Sequence, residues 1–327
     1  MSGFNRRRLI AAAGAALAGS TLPRGARAQA AYPTRPITMI VAFAAGGGTD
    51  VAARSIARYM EKHLGGGASI GVVNRPGAGG EIGWTAVAQA APDGYTIGFI
   101  NAPAIAAMTV EKQTRFTMES FAPIGNLVYD AGILAVHKDS AFQNLADMIA
   151  FARANPGALT IGTTGASGNS EHLALLQLQR IADIRINHAP FGGTAPMRTA
   201  LLGRHIPVGA FNLSEGVEQI REGQLRVLGV MAEQRQAIAP DLPTFREQGI
   251  DVVAGSSRGI VGPRGIPAPI LTRLREAVRA SMHDPEYVQA AERASIPLRY
   301  MDGDEYQAFI NRMTVEMRAI WQATPWR

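Results

Sequence analysis

The residues in this sequence whose types and spacing could do chemistry are few, and they favour holding an anion over breaking a bond. Three glycine-rich turns stand directly before helical patterns: Gly46-Gly47-Gly48-Thr49, Gly77-Ala78-Gly79-Gly80 and Thr164-Gly165-Ala166-Ser167-Gly168-Asn169-Ser170. Glycine has no Cβ, so such turns can aim consecutive backbone N–H groups inward, and the helix that follows adds unpaired donors and the positive end of its dipole. A carboxylate or phosphate suits that geometry. On the first turn alone, an anion cradle and a plain strand-to-helix turn are equally good readings.

Bond-breaking chemistry is less well supported. Gly77-Ala78-Gly79-Gly80-Glu81-Ile82-Gly83 approaches a dinucleotide fingerprint but has Ile82 where the third glycine is needed, and no glycine turn supplies the Gly-Lys-Ser/Thr of a phosphate loop. Gly255-Ser256-Ser257-Arg258-Gly259 matches the G-x-S-x-G nucleophile elbow, which requires a helix after the serine and an acid and a histidine downstream. Ile260-Val261-Gly262-Pro263 reads as extended chain instead, and His283 is the only later histidine. An exported hydrolase using Ser257 is kept as the alternative function. Histidines at 63, 137, 172, 188, 205 and 283 show no metal-ligand spacing, and the absence of cysteine excludes thiolate sites, thiol nucleophiles and disulfides. Glu171-His172 at a helix start could touch a ligand, although capping and dipole pairing account for Glu171 equally well. No catalytic residue, metal or cofactor is expected.

The elements that must position these turns alternate between strand and helix. Ile37–Phe43 is an apolar run of strand length, and Asp50–Leu64 a helix with Thr49 as its predicted N-cap and Ile56, Tyr59, Met60 and Leu64 on its apolar stripe. A strand at Ile70–Val73, a helix at Glu81–Ala91 and a strand at Thr96–Ile100 repeat the pattern. After an extended segment at Leu127–His137 the alternation starts afresh: a helix at Leu145–Ala154, a strand at Leu159–Thr163, a helix from Glu171, a strand at Ile184–His188 entering Phe191-Gly192-Gly193-Thr194, and strands at Ile206–Phe211 and Leu225–Met231. Val252–Val261 is a second extended segment, followed by helices at Pro269–His283, Pro285–Ala294 and Gly303–Ala323. This order predicts an α/β protein of two lobes, each a doubly wound sheet flanked by helices, with two hinge crossings. Lobe I is expected to comprise residues 29–130 plus 252–327, and lobe II residues 131–251. Glycine, serine and threonine turns from two lobes suit closure over a small anion, held with backbone amides and hydroxyls rather than a salt bridge.

The N-terminus sets the compartment. Arg6-Arg7-Arg8 precede an Ala/Leu/Gly run to Leu22, and Ala26-Arg27-Ala28 forms an A-x-A site, so residues 1–28 are expected to be a signal peptide cleaved after Ala28. The segment Arg6-Arg7-Arg8-Leu9-Ile10 resembles a twin-arginine motif, with Sec export as the alternative. The apolar run is too short to span a bilayer. Residues 1–28 carry five arginines and no acid, so the formal charge of +6 falls to +1 without them. With no Lys/Arg cluster interleaved with aromatics, no nucleic-acid partner is expected.

Taken in order, Tyr32-Pro33-Thr34-Arg35-Pro36-Ile37, Gly46 to Asp50 with Ala53-Arg54, Asn74 to Gly80, Pro92-Asp93-Gly94-Tyr95, Gly165 to Leu173 and Phe191-Gly192-Gly193 resemble the Bug family, the extracytoplasmic solute receptors of tripartite tricarboxylate transporters. The resemblance spans the chain beyond residue 28. It implies a type II periplasmic binding-protein fold and a small organic carboxylate held between lobes, often through bridging waters. It also implies membrane transporter subunits as partners, a periplasmic location and a monomer. By position, the implied first-lobe contacts are Phe43, Gly46, Gly47, Gly48, Thr49 and Asn101. Those of the second lobe are Thr164, Ala166, Ser167, Ser170, Phe211 and Asn212. Many relatives have proline where Ala45 stands, which makes this turn less rigid in expectation. Which carboxylate is bound does not follow from these motifs, and a receptor that senses rather than transports shares them.

Overall fold

The computed structural model describes residues 32–165, 168–323 and 325–326. The expected signal peptide and the candidate contacts Ala166 and Ser167 lie outside the described residues. From Arg35 the chain forms one compact unit.

The first half opens with β1 (Ile37–Val41), the Gly46–Gly48 turn and α1 (Gly48–Leu64), then β2 (Ile70–Asn74), α2 (Glu81–Ala88), β3 (Thr96–Ala102) and α3 (Ala104–Glu111). Helix α1 buries Ala52, Ala53, Ile56, Ala57, Met60 and Leu64 and ends at Gly65, whose φ of 66° places it in the left-handed region. The N-cap is Gly47 rather than the expected Thr49. Gly47 takes the extended conformation, while the Gly46 N–H donates to the Asp50 carboxylate at 2.9 Å. The Thr49 hydroxyl is thereby freed from capping and accepts from the Asn101 amide at 2.8 Å. Helix α3 escaped the sequence reading because Ile105, Ala106, Ala107 and Met108 are all buried, leaving no polar face to reveal a helical period.

Strand β4 (Phe121–His137) is the long element of the fold. It is followed by α4 (Leu145–Ala154), β5 (Thr160–Thr164), α5 (Ser170–Ala182), β6 (Asn187–Phe191), α6 (Thr194–Leu202), β7 (Val208–Asn212), α7 (Val217–Arg221) and β8 (Leu225–Met231). The chain then returns through β9 (Gly255–Pro263), α8 (Ala268–Met282), α9 (Pro285–Arg293), β10 (Leu298–Met301) and α10 (Gly303–Ala323).

Strand order is β2-β1-β3-β9-β4-β7-β5-β6, with β8 and β10 also paired to β4. Both parallel triplets, β2-β1-β3 and β6-β5-β7, follow the alternation predicted from sequence. The sheets are nonetheless mixed, because β9 runs antiparallel to β3, and β4 antiparallel to β9 and β7. Strand β4 serves both halves: Phe121 to Ala131 pair with β9, whereas Gly132 to His137 pair with β7 and β8. A second link lies at Ala254, which accepts from the Gly132 N–H and donates to the Met231 carbonyl.

Alternation along β4 explains how one strand feeds two core faces. Leu134 and Val136 join Leu145, Met148, Ile161, Leu175 and Phe245 on one side, while Ile133 and Ala135 join Met197, Leu201, Phe211 and Val230 on the other. The first half has its own core around Trp84, Ile100, Ile105, Phe116, Val261, Tyr306 and Trp326.

Candidate functional site

Two lone charges, one in each of the extended segments β4 and β9, meet in the interior. Asp130 lies on β4 and Arg258 on β9, and the guanidinium Nη1 stands 3.2 Å from Asp130 Oδ2, with the side chains 0% and 3% exposed respectively. A buried guanidinium is tolerated only where carboxylates and hydrogen bonds replace its hydration. Its Nη2 donates to Glu215 Oε1 at 3.1 Å, Glu215 lying on a single 3-10 turn, Leu213–Glu215, directly after β7. The Ser214 N–H and hydroxyl both donate to Asp130. Burial pushes the Asp130 carboxyl up to about 6, with Arg258 opposing that rise and Glu215 adding to it.

The cluster reaches the glycine turn of α1. A methyl group placed on Gly48 would lie 2.6 Å from Arg258 Nη1 and 2.9 Å from Glu215 Oε1, so any side chain here would displace the ion pair. Asn101 faces Arg258 across the β3–β9 pair and donates to Thr49, while its own Oδ1 has no partner. Arg258 Nε is likewise buried and unpartnered.

From the second half come Asn212 and the start of α5. With its amide oriented to satisfy its neighbours, Asn212 donates to the Asp130 carbonyl at 3.0 Å and to Glu171 Oε1 at 3.1 Å, and accepts from Arg258 Nη2 at 3.0 Å. Ser170 donates its hydroxyl to Glu171 Oε1 at 2.9 Å. Burial raises the Glu171 carboxyl to about 7; its own backbone N–H partly offsets that, and the nearby Glu215 charge adds to it. Asn169 caps α5 by accepting from the His172 N–H at 2.7 Å and donates to the Thr164 carbonyl. The Gly168 N–H donates to His172 Nδ1 at 3.0 Å, and the His172 ring stacks on His188 at 4.0 Å between centroids. Burial, then the neighbouring His188, lowers His172 to about 4, so it is neutral at physiological pH. Among the described residues no group of three or more His, Asp or Glu could hold a metal ion.

Of the candidate contacts, Gly48, Thr49, Asn101, Ser170 and Asn212 are drawn into one neighbourhood through Arg258 and Glu171. Gly47 caps α1, and Gly46 spends its N–H on Asp50. Burial acts to raise the Asp50 carboxyl, but hydrogen bonds from Arg54, then the Gly46 N–H and Asn74, together hold it below its usual range. Phe43 packs edge-on against Trp84 at 5.8 Å, its carbonyl accepting from Asn74. Phe211 is a fully buried core residue beneath Gly216. Thr164 offers the end of β5, its carbonyl already taken by Asn169. Ser257 is fully buried within β9 and donates to Asn126 Oδ1 at 2.6 Å, and the strand continues to Pro263 with no helix in between, so the elbow geometry is not formed.

Sequence reasoning missed Arg258, Asp130 and Glu215. The available signal was one basic and one acidic residue, each isolated in an otherwise apolar or small-residue strand segment.

A profile described as "Tripartite tricarboxylate transporter family receptor" matches residues 52–324. A protein of Cupriavidus necator, "UPF0065 protein in gbd 5'region", is 32% identical over 323 residues, covering 97% of this chain and 95% of that protein. Among solved structures, the periplasmic binding protein BugD superposes with a TM-score of 0.81 at 29% identity, covering 89% of this chain and 98% of its own. MatC from Rhodopseudomonas palustris with bound malate superposes with a TM-score of 0.78 at 27% identity, covering 89% and 99%. Both superpositions extend over most of the chain, as a shared α/β fold requires.

Proposed function

The chain belongs to the tripartite tricarboxylate transporter receptor family, and from that premise we propose that it is a periplasmic receptor capturing a small organic carboxylate between two lobes for a membrane transporter. The observation that carries this reading is Arg258. From the strand that returns the chain to its first half, it touches the α1 glycine turn on one side and Asn212 and Glu215 on the other. Asp130 and Glu215 already pair with this guanidinium, so an anionic ligand gripped by both lobes meets Arg258 where one of those acids gives way, beside the donors of the α1 N-terminus.

In this reading lobe I comprises residues 29–130 and 252–327 and lobe II residues 131–251, with the hinges near Ala131–Gly132 and Ala254–Gly255. The α1 turn supplies backbone donors other than the Gly46 N–H that Asp50 holds, and Asn101 offers its unpartnered Oδ1, while Thr49, Ser170 and Asn212 exchange their present partners for the ligand. The malate bound to MatC supports a dicarboxylate of that size class. Residues 1–28 direct export, and the partners are the membrane subunits of the transporter.

Isothermal titration of the exported protein against malate, longer dicarboxylates, tricarboxylates and acidic amino acids tests the reading. Saturable one-to-one binding to a member of this panel is the expected outcome. Silence across the panel removes the carboxylate assignment.

A further inference from the structure

We propose that Glu215 is an internal stand-in for the ligand's carboxylate and that Arg258 is the cation exchanged between the two, an inference that rests on the anion-binding reading above. The Glu215 carboxylate is held as a bound carboxylate would be. Arg258 Nη2 donates to Oε1 at 3.1 Å and the Thr194 hydroxyl to Oε2 at 2.8 Å. Oε1 also lies against Gly48 in the first turn of the 17-residue helix α1, while Thr194 is the first residue of α6. The group therefore sits where two helix starts and a guanidinium converge, the surroundings that favour negative charge.

Three features make the position exchangeable rather than a fixed strut. Asp130 pairs with the other terminal nitrogen, Nη1, so Arg258 keeps a counter-charge when Glu215 leaves. Arg258 Nε is buried without a partner, a spare donor beside the carboxylate position. Glu215 is also the more exposed of the two acids paired with Arg258, its side chain 11% accessible against 0% for Asp130, and it sits on a one-turn 3-10 segment before Gly216. Glu215 and a ligand carboxylate are both anions, so they compete for one site. The receptor's affinity is then set partly by how firmly its own glutamate is held.

The test uses acetate as the probe and the full chain purified after export. Glu215→Ala removes the internal carboxylate and leaves a space of that size between Arg258, Thr194 and Gly48, whereas Glu215→Gln fills the space without the charge. Acetate is expected to bind Glu215→Ala at least about tenfold more tightly than either the wild type or Glu215→Gln, and to raise the unfolding temperature of that variant alone. Adding Arg258→Lys to Glu215→Ala should weaken the response at least about tenfold, because a single ammonium cannot serve Asp130 and acetate from two separate nitrogens as Arg258 does. Equal acetate responses in all forms, no response in Glu215→Ala, or a Glu215→Ala chain that acetate does not restore to the folded state would each overturn the proposal. The two readings separate cleanly. A wild type silent to the dicarboxylate panel alongside a positive acetate result rejects the proposed ligand class and keeps the exchange site. Panel binding without acetate rescue does the reverse.

Discussion

Asp130 and Arg258 stand on adjacent antiparallel strands with Oδ2 and Nη1 3.2 Å apart and almost no solvent contact. Removing one member of such a pair leaves the other as an uncompensated buried charge. Arg258→Met strands Asp130 beside Glu215 and is expected to cost about 3–5 kcal/mol, whereas Asp130→Asn keeps one oxygen for the Ser214 N–H, leaves Glu215 as the counter-charge of Arg258 and should cost about 1–3 kcal/mol. The double variant should recover at least about 1 kcal/mol relative to the sum of the singles. Urea denaturation of the four proteins measures this, and strict additivity would show that the two side chains do not interact.

Gly47 and Gly48 are neighbours in sequence with different constraints. A Cβ on Gly47, at φ −81°, meets nothing closer than the Ala44 carbonyl at 3.6 Å, while a Cβ on Gly48 is driven into Arg258 and Glu215. Gly47→Ala should therefore stay within about 0.5 kcal/mol of wild type. Gly48→Ala should weaken carboxylate binding by about tenfold or more, with a stability loss of about 1–3 kcal/mol. Calorimetry and thermal unfolding of both variants check the contrast, and equal effects would mean that the turn does not abut the ion pair.

Glu171 makes stability depend on pH with a definite sign. Its folded carboxyl is raised to about 7 from an ordinary 4.5, chiefly by burial, so between those pH values the native state holds more protons than the unfolded chain. Stability from this group is then present below pH 4.5 and lost as pH rises to 7, a loss of about 3 kcal/mol. His172, lowered to about 4, acts oppositely: its contribution is lost as pH falls from 6.5 to 4. The two slopes oppose each other across much of the same range, so the informative quantity is the difference between wild type and Glu171→Gln. That variant should gain on wild type steadily from pH 4.5 to 7.5 in chemical denaturation. A constant difference would show that Glu171 is ionised throughout.

Much of the fold was readable locally. Leu145–Ala154, Leu225–Met231 and Gly303–Ala323 fall within the bounds expected from apolar period and capping residues, because short-range pattern and caps set an element's type. What local pattern could not show was pairing direction. Phe121–His137 and Gly255–Pro263 read simply as extended chain, and their antiparallel seam is set by contacts more than 100 residues apart in sequence. The same limit applies to the site: the glycine turns were visible as candidate cradles, but not that Gly46 spends its N–H on Asp50 or that Gly48 lies against Arg258.

By itself, then, the amino-acid order determined the alternation of strands and helices, the three glycine turns that open helices, and the family motifs that run along the chain. These depend on neighbours within a few residues, which sequence displays directly. Only the tertiary structure decided that Asp130, Glu171, Glu215 and Arg258 share one buried neighbourhood. The physical reason is register: opposite charges in separate strands meet only when pairing aligns them, and a slip of one residue would turn Arg258 to the other face.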